Sequence, residues 1–134
     1  MPTLIELTDT LSITGQIQPA EVAELAAAGY GVIICNRPDD EEPQQPSMDN
    51  IEAACDEVGV AFIRYPVNAM TFPGTDLAAM DDAMNSDVKT LAYCRSGARS
   101  TNLWVATLAG SERQAAADKA QQLGIPLSFV AQLG

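Results

Sequence analysis

Short apolar runs alternate with longer segments of helical periodicity along most of the chain. Three runs, YGVIICN (30–36), VAFIRYP (60–66) and VKTLAYC (88–94), have the length and the β-branched content of buried strands. The stretches LIEL (4–7) and LSITG (11–15) are weaker strand candidates. Alternation of strands and helices with short connections predicts a mainly parallel sheet that is covered by helices.

Turn and capping residues mark the ends of the predicted helices. Pro19 and Gly29 bound the first helix, and Ser47 and Gly59 bound the second. Thr75 is the predicted cap of DLAAMDDAM (76–84). Gly110 is predicted to end STNLWVATLAG (100–110), and Ser111 with Gln114 to form a capping box for the last helix, ERQAAADKAQQLG (112–124). The spacing of Trp104 and Leu108 predicts core packing.

Length and composition place the chain among globular proteins. Its 134 residues, 47% of them hydrophobic, predict one domain over 1–134 with a packed core. We find no apolar run long enough for a membrane helix, and MPTLIELTDT (1–10) does not resemble a signal peptide. These features predict a cytoplasmic protein.

Charge and residue content exclude several functions. The net charge of -11 disfavours nucleic acid and anionic membranes as partners, because long-range electrostatics would be repulsive. The absence of histidine removes Ser-His and Cys-His nucleophile pairs and common zinc sites. The spacing of Cys35, Cys55 and Cys94 fits neither a disulfide framework nor a metal site. No cofactor is indicated.

The segment CRSGARS (94–100) carries the strongest chemical signal. A strand that ends at Cys94 and a helix that starts near Arg99 place the sulfur at a helix N-terminus, where backbone N–H groups stabilise a thiolate or an oxyanion. Arg95 and Arg99 add positive charge, and Gly97 gives the loop conformational freedom. The anion-binding loop is predicted to consist of Arg95, Ser96, Gly97, Ala98 and Ser100, with Cys94 and Arg99 as catalytic residues. Cys35 and Cys55, in a strand and a helix, are interpreted as structural cysteines.

Two other irregular segments follow predicted strands, RPDDEEPQQP (37–46) and PVNAMTFPG (66–74). Because carboxyl ends of parallel strands meet at one edge of a sheet, both should border the Cys94 pocket. The run of four carboxylates in 39–42 is by itself typical of a solvated connector.

Several motifs in order resemble one bacterial family, the phosphatase-like domain of beta-lactamase hydrolase-like proteins, whose members are often called sulfur transferases. These are SITGQI (12–17), NRPDDEEPQQP (36–46), YP (65–66) and LAYCRSGARSTNLW (91–104), and the resemblance runs from about residue 3 to 124. It implies the three-layer α/β fold of tyrosine and dual-specificity phosphatases, with Cys94 as nucleophile and Arg99 as the anion-holding guanidinium. It also implies that Asn36, Arg37, Pro38 and Asp39 face the same pocket.

The four residues between Cys94 and Arg99 resemble the loop of rhodanese-type sulfurtransferases, whereas tyrosine phosphatases have five. We therefore expect sulfur transfer through a Cys94 persulfide, with a small anionic or persulfide donor and a low-molecular-weight or protein thiol as acceptor. This chemistry needs no general acid.

Two alternatives stay open. In a phosphatase, Cys94 would form a phosphocysteine, and Asp39 or Asp76 would protonate the leaving group, although Asp76 also suits the first turn of a helix. In a regulatory module, Cys94 would bind or sense an anion without turnover.

Overall fold

The computed structural model describes residues 2–133 and contains one five-stranded sheet with helices on both faces. The strands are β1 (Ile5–Glu6), β2 (Leu11–Thr14), β3 (Val32–Cys35), β4 (Ala61–Arg64) and β5 (Thr90–Tyr93). Their spatial order is β1-β2-β5-β3-β4; β1 pairs antiparallel with β2, and the other pairs are parallel. The expected three-layer α/β architecture with a mainly parallel sheet is confirmed.

Within the described residues, five helices cover the sheet: α1 (Val22–Ala27), α2 (Met48–Val58), α3 (Leu77–Met84), α4 (Ala98–Thr107) and α5 (Gly110–Gln122). Single 3-10 turns lie at Pro19–Glu21 and Val130–Leu133. None of the helices within residues 2–133 has both the length and the apolar character needed to span a membrane.

Side-chain alternation along the strands divides the core into two halves. Ile33, Leu91 and Tyr93 pack with residues of α1 and α2, whereas Ile34 and Ala92 pack with residues of α3, α4 and α5. Neighbouring strand residues point to opposite faces of a sheet, so each buried strand supplies both halves. The predicted core residue Trp104 is 5% exposed, and Leu108 packs partly buried on the same half.

Two of the predicted helix ends are confirmed. The hydroxyl of Ser47 accepts the N–H of Asn50 at the start of α2, and Gly59 ends that helix in the left-handed conformation with φ 73°. A left-handed residue is common after a helix, and glycine adopts it at no steric cost.

Three capping predictions are wrong. Asp76, not Thr75, caps α3, because its carboxylate accepts the N–H of Ala79 at 3.1 Å. Gly110 begins α5 instead of ending α4, and no Ser111 capping box forms, because α5 starts one residue before Ser111. The end of α4 depends on Arg113 instead of a glycine. The Arg113 guanidinium donates to the carbonyls of Ala106 and Leu108 and so satisfies the last turn of α4.

The segment after α5 packs on the domain through a buried amide. Asn102 of α4 donates to the carbonyl of Pro126 at 2.9 Å and accepts the N–H groups of Phe129 and Val130. Buried polar side chains are retained where their hydrogen bonds are satisfied, so Asn102 fixes this segment against α4.

Candidate active site

Strand register brings the site loops together. Cys35 lies opposite Tyr93 in the parallel pairing of β3 and β5, so Asn36 and Cys94 both follow at the same sheet edge. The N–H of Asn36 donates to Tyr93 O at 2.8 Å, and that of Cys94 lies 3.4 Å from Thr14 O. The ends of β2, β3 and β5 therefore meet at one place, as the sequence predicts.

Cys94 lies at the N-terminus of α4. It is 1% exposed, and its Sγ accepts the N–H of Gly97 at 3.1 Å. Gly97 caps α4 with φ 95°, a conformation that strongly favours glycine. The sulfur thus lies where the helix offers N–H donors and positive electrostatic potential.

Residues at the end of β2 shape the loop. A side chain at Gly97 would lie 2.9 Å from Cδ1 of Ile13, and one at Gly15 would lie 2.8 Å from the carbonyl oxygen of Arg95. Both contacts are shorter than normal packing allows, so the loop and the end of β2 can approach this closely only with glycine at 15 and 97.

The guanidinium of Arg99 is held on one edge. Its Nη1 donates to the carbonyl of Val67 at 2.9 Å and lies 3.5 Å from the carbonyl of Asn36. The Glu41 carboxylate accepts from Nη1 at 3.1 Å and from Nη2 at 3.3 Å. The Nε of Arg99 is buried and has no partner among residues 2–133.

Arg37 is 1% exposed and anchors the acidic loop, which we define as residues 37–46. Its guanidinium donates to Glu41 at 2.8 Å, Glu42 at 2.6 Å and Gln16 at 3.0 Å. Burial lowers the pKa of Arg37, but both glutamates outweigh this effect and raise it, so the group stays charged. The expectation that the acidic run is only a solvated connector is wrong, because Glu41 and Glu42 pair with arginines of the site.

Glu41 is the carboxylate that contacts the predicted catalytic arginine. Partial burial raises its pKa, yet hydrogen bonds and charge from Arg37 and Arg99 outweigh burial and leave the pKa below its ordinary value. Glu42 also forms an ion pair with the exposed Arg95, at 3.5 Å. Sequence reasoning missed both roles, and the only available signal was the position of Arg37 just before the acidic run.

The two predicted acids are engaged at helix starts. Asp39 accepts the N–H of Met48, the first residue of α2, at 2.9 Å, and Asp76 caps α3. Both side chains belong to exposed residues. Their assignment as general acids stays a prediction.

Two further polar atoms of predicted site residues are buried without a partner in the described part of the chain, namely Oδ1 of Asn36 and Oγ of Ser100. Asn36 uses its amide nitrogen on the carbonyl of Tyr65 at 3.1 Å. Unpaired buried polar atoms are costly, and of these two only the Ser100 hydroxyl can donate to a bound anion. Ala98 starts α4, and its N–H lies 3.4 Å from the Ser96 hydroxyl.

The other cysteines have structural surroundings. Burial raises the pKa of the Cys35 thiol. This effect exceeds the lowering of the pKa by hydrogen bonds with Tyr93 and the carbonyl of Arg37. Burial, with the charges of Asp56 and Glu52, raises the pKa of Cys55 to about 11. Buried thiols of this kind are poor nucleophiles at neutral pH.

A polar cleft of about 420 Å³ adjoins Arg37 and Glu42. Its other lining residues are Gln16, Gln18, Pro43, Gln44, Gln45 and Pro46, so the acidic loop forms much of its wall. Cys94 does not line it.

Comparisons with known proteins agree with this architecture. A solved structure from Neisseria meningitidis Z2491, provisionally named a phosphatase, superimposes with a TM-score of 0.73 at 31% identity, covering 96% of this chain and 94% of that chain. A mouse protein provisionally named a dual specificity phosphatase, solved with zinc tungstate, gives a TM-score of 0.62 at 23% identity, covering 99% of this chain and 85% of its own, which shows a shared fold.

Sequence relatives identify the family. A beta-lactamase hydrolase-like protein of Xylella fastidiosa (strain Temecula1) is 33% identical over 102 residues, which is 75% of this chain but only 24% of that protein. The family model for the phosphatase-like domain of beta-lactamase hydrolase-like proteins matches residues 3–111. Together with the Cys94 loop and the phosphatase-type sheet, these matches show that the chain belongs to the family of phosphatase-like domains of beta-lactamase hydrolase-like proteins.

Proposed function

We propose that the chain is a cysteine-dependent phosphatase that hydrolyses small anionic phosphate monoesters through Cys94. The Cys94 thiolate attacks phosphorus, the bond to the ester oxygen breaks, and a phosphocysteine forms. The ester oxygen leaves as the alcohol, with a proton from a carboxylic acid such as Asp39 or from water. Water then attacks this intermediate, which releases inorganic phosphate and restores the thiolate. Arg99 and the N–H groups of residues 96–100 would stabilise the charge on the phosphoryl oxygens.

One observation supports the proposal most directly. Cys94 Sγ lies at the N-terminus of α4, and the buried Nε of Arg99 has no partner among the described residues. A nucleophile at a helix N-terminus and an unpaired guanidinium N–H five residues later on the same loop are suited to a tetrahedral oxyanion. The family and the phosphatase names of similar structures support the same chemistry.

Sulfur transfer is the second candidate, and the engagement of the predicted acids favours it. Asp39 and Asp76 both hold backbone N–H groups at helix starts, whereas sulfur transfer requires no proton donor. The Cys94 thiolate would attack the sulfane sulfur of thiosulfate, displace sulfite and become a persulfide. A low-molecular-weight or protein thiol would then take up that sulfur.

The two chemistries are separated by parallel assays on one preparation. Release of phosphate from an aryl phosphate, abolished by Cys94→Ser and retained by the matched Cys55→Ser, is the result expected for the phosphatase. A gain of one sulfur atom after incubation with thiosulfate, absent in Cys94→Ser, would instead establish the persulfide. If the protein shows neither phosphatase activity nor sulfur transfer but Cys94 can be alkylated, the result supports the regulatory role.

The expected partners follow from charge. A chain of net charge -11 repels nucleic acid and anionic membranes at long range, so we propose small anions that reach one local positive site. The chain spans about a quarter (24%) of the Xylella relative, so the proposed activity concerns this domain and not the longer protein.

A further inference from the structure

Glu41 contacts the Nη1–Nη2 edge of the Arg99 guanidinium. Its two carboxylate oxygens accept from Nη1 at 3.1 Å and from Nη2 at 3.3 Å, a bidentate arrangement. The carbonyl of Val67 accepts a second N–H of Nη1 at 2.9 Å. The end-on edge of the guanidinium is therefore fully used by protein atoms.

The side edge of the same guanidinium contains Nε, which is buried without a partner among residues 2–133. A guanidinium is planar and rigid, so fixing the end-on edge also fixes the direction of the side edge. The hydroxyl of Ser100, on the same loop, is also buried without a partner in this range, and a hydroxyl can donate to an anion.

We infer that Glu41 is a positioning residue that orients Arg99 so that its Nε edge is offered to an oxyanion bound at Cys94. This inference rests on the proposed function, because it assigns Arg99 to the anion of that reaction. Glu41 does not itself contact the substrate in this arrangement.

Arg37 keeps Glu41 in place. Its Nε donates to the same Glu41 oxygen at 2.8 Å, and its other nitrogens are bound by Glu42 and Gln16. The buried Arg37 thus fixes the acidic loop to the sheet, and the low pKa of Glu41 keeps its carboxylate ionised at neutral pH.

A competing arrangement makes Glu41 an internal inhibitor that occupies the position of the substrate anion. The contacts favour positioning, because the carboxylate binds the Nη1–Nη2 edge and leaves Nε unpaired. An inhibitor carboxylate in the anion position would be expected to pair with Nε as well.

The chain offers a matched pair of variants, Glu41→Gln and Glu52→Gln. Each glutamate forms an ion pair with an arginine, but Glu41 binds Arg99 of the Cys94 loop, whereas Glu52 of α2 binds Arg64 at the end of β4. The first measurement is the dissociation constant of inorganic phosphate by phosphorus NMR titration, which needs no turnover. The second is kcat and KM for an aryl phosphate.

We expect Glu41→Gln to weaken phosphate binding and lower kcat/KM by roughly 10-fold to 100-fold, and Glu52→Gln to change either by less than about 3-fold. Equal effects of the two variants, or tighter phosphate binding by Glu41→Gln, would overturn the positioning role. If wild-type protein binds phosphate but hydrolyses no ester, the proposed function is wrong. The phosphate affinities of the two variants then still decide the role of Glu41. Wild-type protein that binds no phosphate would refute both.

Circular dichroism and thermal melting establish that both variants fold. If Glu41→Gln does not fold, Glu41→Asp serves instead, because it keeps the charge but is one methylene too short to reach Arg37 and Arg99 together. The same loss of phosphate affinity is expected for it, and unchanged affinity would again overturn the inference.

Discussion

At the scale of single residues, the arginines of the site lie in an acidic chain and are paired with particular glutamates. Arg37, Arg95 and Arg99 would attract carboxylates from any direction, and here Glu41 and Glu42 are the partners they use. Since Arg37 is buried, removing its partners would leave an uncompensated internal charge. The acidic loop is therefore part of the site's construction.

The geometry of Arg99 leads to a prediction for Arg99→Lys. Lysine keeps the charge but cannot bind Glu41 and Val67 on one edge while offering a second edge to the anion. We expect kcat/KM for an aryl phosphate to fall by at least about 10-fold with little change in melting temperature. Activity within about 2-fold of wild type would show that the loop does not use a guanidinium fork.

Gly15 predicts a remote effect on the loop. Its substitution by Ala would place a Cβ 2.8 Å from the carbonyl of Arg95, so the Cys94 loop must shift. We expect Gly15→Ala to lower kcat by roughly 10-fold or more and to destabilise the fold by about 1–3 kcal/mol.

The control for Gly15 is Gly59→Ala. Gly59 has φ 73°, but a Cβ there meets no atom within 4 Å, and the residue lies at the far end of α2. The Gly59→Ala variant should lose about 1 kcal/mol of stability through backbone strain and keep its activity. Equal losses of activity in the two variants would contradict a specific effect at the loop.

At the scale of elements, helix caps explain what the two candidate acids do in the structure. Asp76 caps α3 through the N–H of Ala79, and Asp39 holds the first N–H of α2. Asparagine caps a helix about as well as aspartate, whereas alanine does not. This difference separates a capping role from a catalytic one at the same position.

We predict that Asp76→Asn leaves both stability and aryl phosphate turnover within about 2-fold of wild type, and that Asp76→Ala loses about 0.5–2 kcal/mol in urea unfolding. An Asn variant that folds normally but loses most of its turnover would instead identify Asp76 as the proton donor. The same pair of variants at Asp39 tests the other candidate.

Local patterns predicted most elements, and long-range contacts explain what they missed. The strands around Ile33, Phe62 and Leu91 follow from apolar runs, and the Cys94 loop from one continuous motif. The contact of Glu41 with Arg99 joins residues 58 positions apart, and nothing in the acidic run itself specifies that pairing. The end of α4 was misplaced because its last carbonyls are satisfied by the side chain of Arg113, a residue of the following helix.

At the scale of the whole molecule, parallel topology turns separate sequence segments into one site. The order β2-β5-β3 places the ends of three strands side by side, so the segments after Thr14, Cys35 and Tyr93 share one edge. Helices on both faces leave this edge as the place where charged loops meet. The network of arginines and glutamates consequently links distant parts of the chain and contributes to global stability.

That link predicts a pH dependence of unfolding. The pKa of Glu41 in the folded protein lies below its ordinary value of 4.5, so the native state binds the proton more weakly than the unfolded state. The stabilisation of the fold by the Glu41 carboxylate is therefore fully present above the unfolded pKa and is lost as the pH falls through the folded pKa.

Glu41→Gln removes this contribution at neutral pH but changes little in acid, where wild-type Glu41 is itself protonated. In urea unfolding we expect wild type to exceed Glu41→Gln by on the order of 1 kcal/mol at neutral pH, and the two to converge at pH values well below 4.5. A difference that stays constant over this range would show that Glu41 acts on stability through packing and not through its charge.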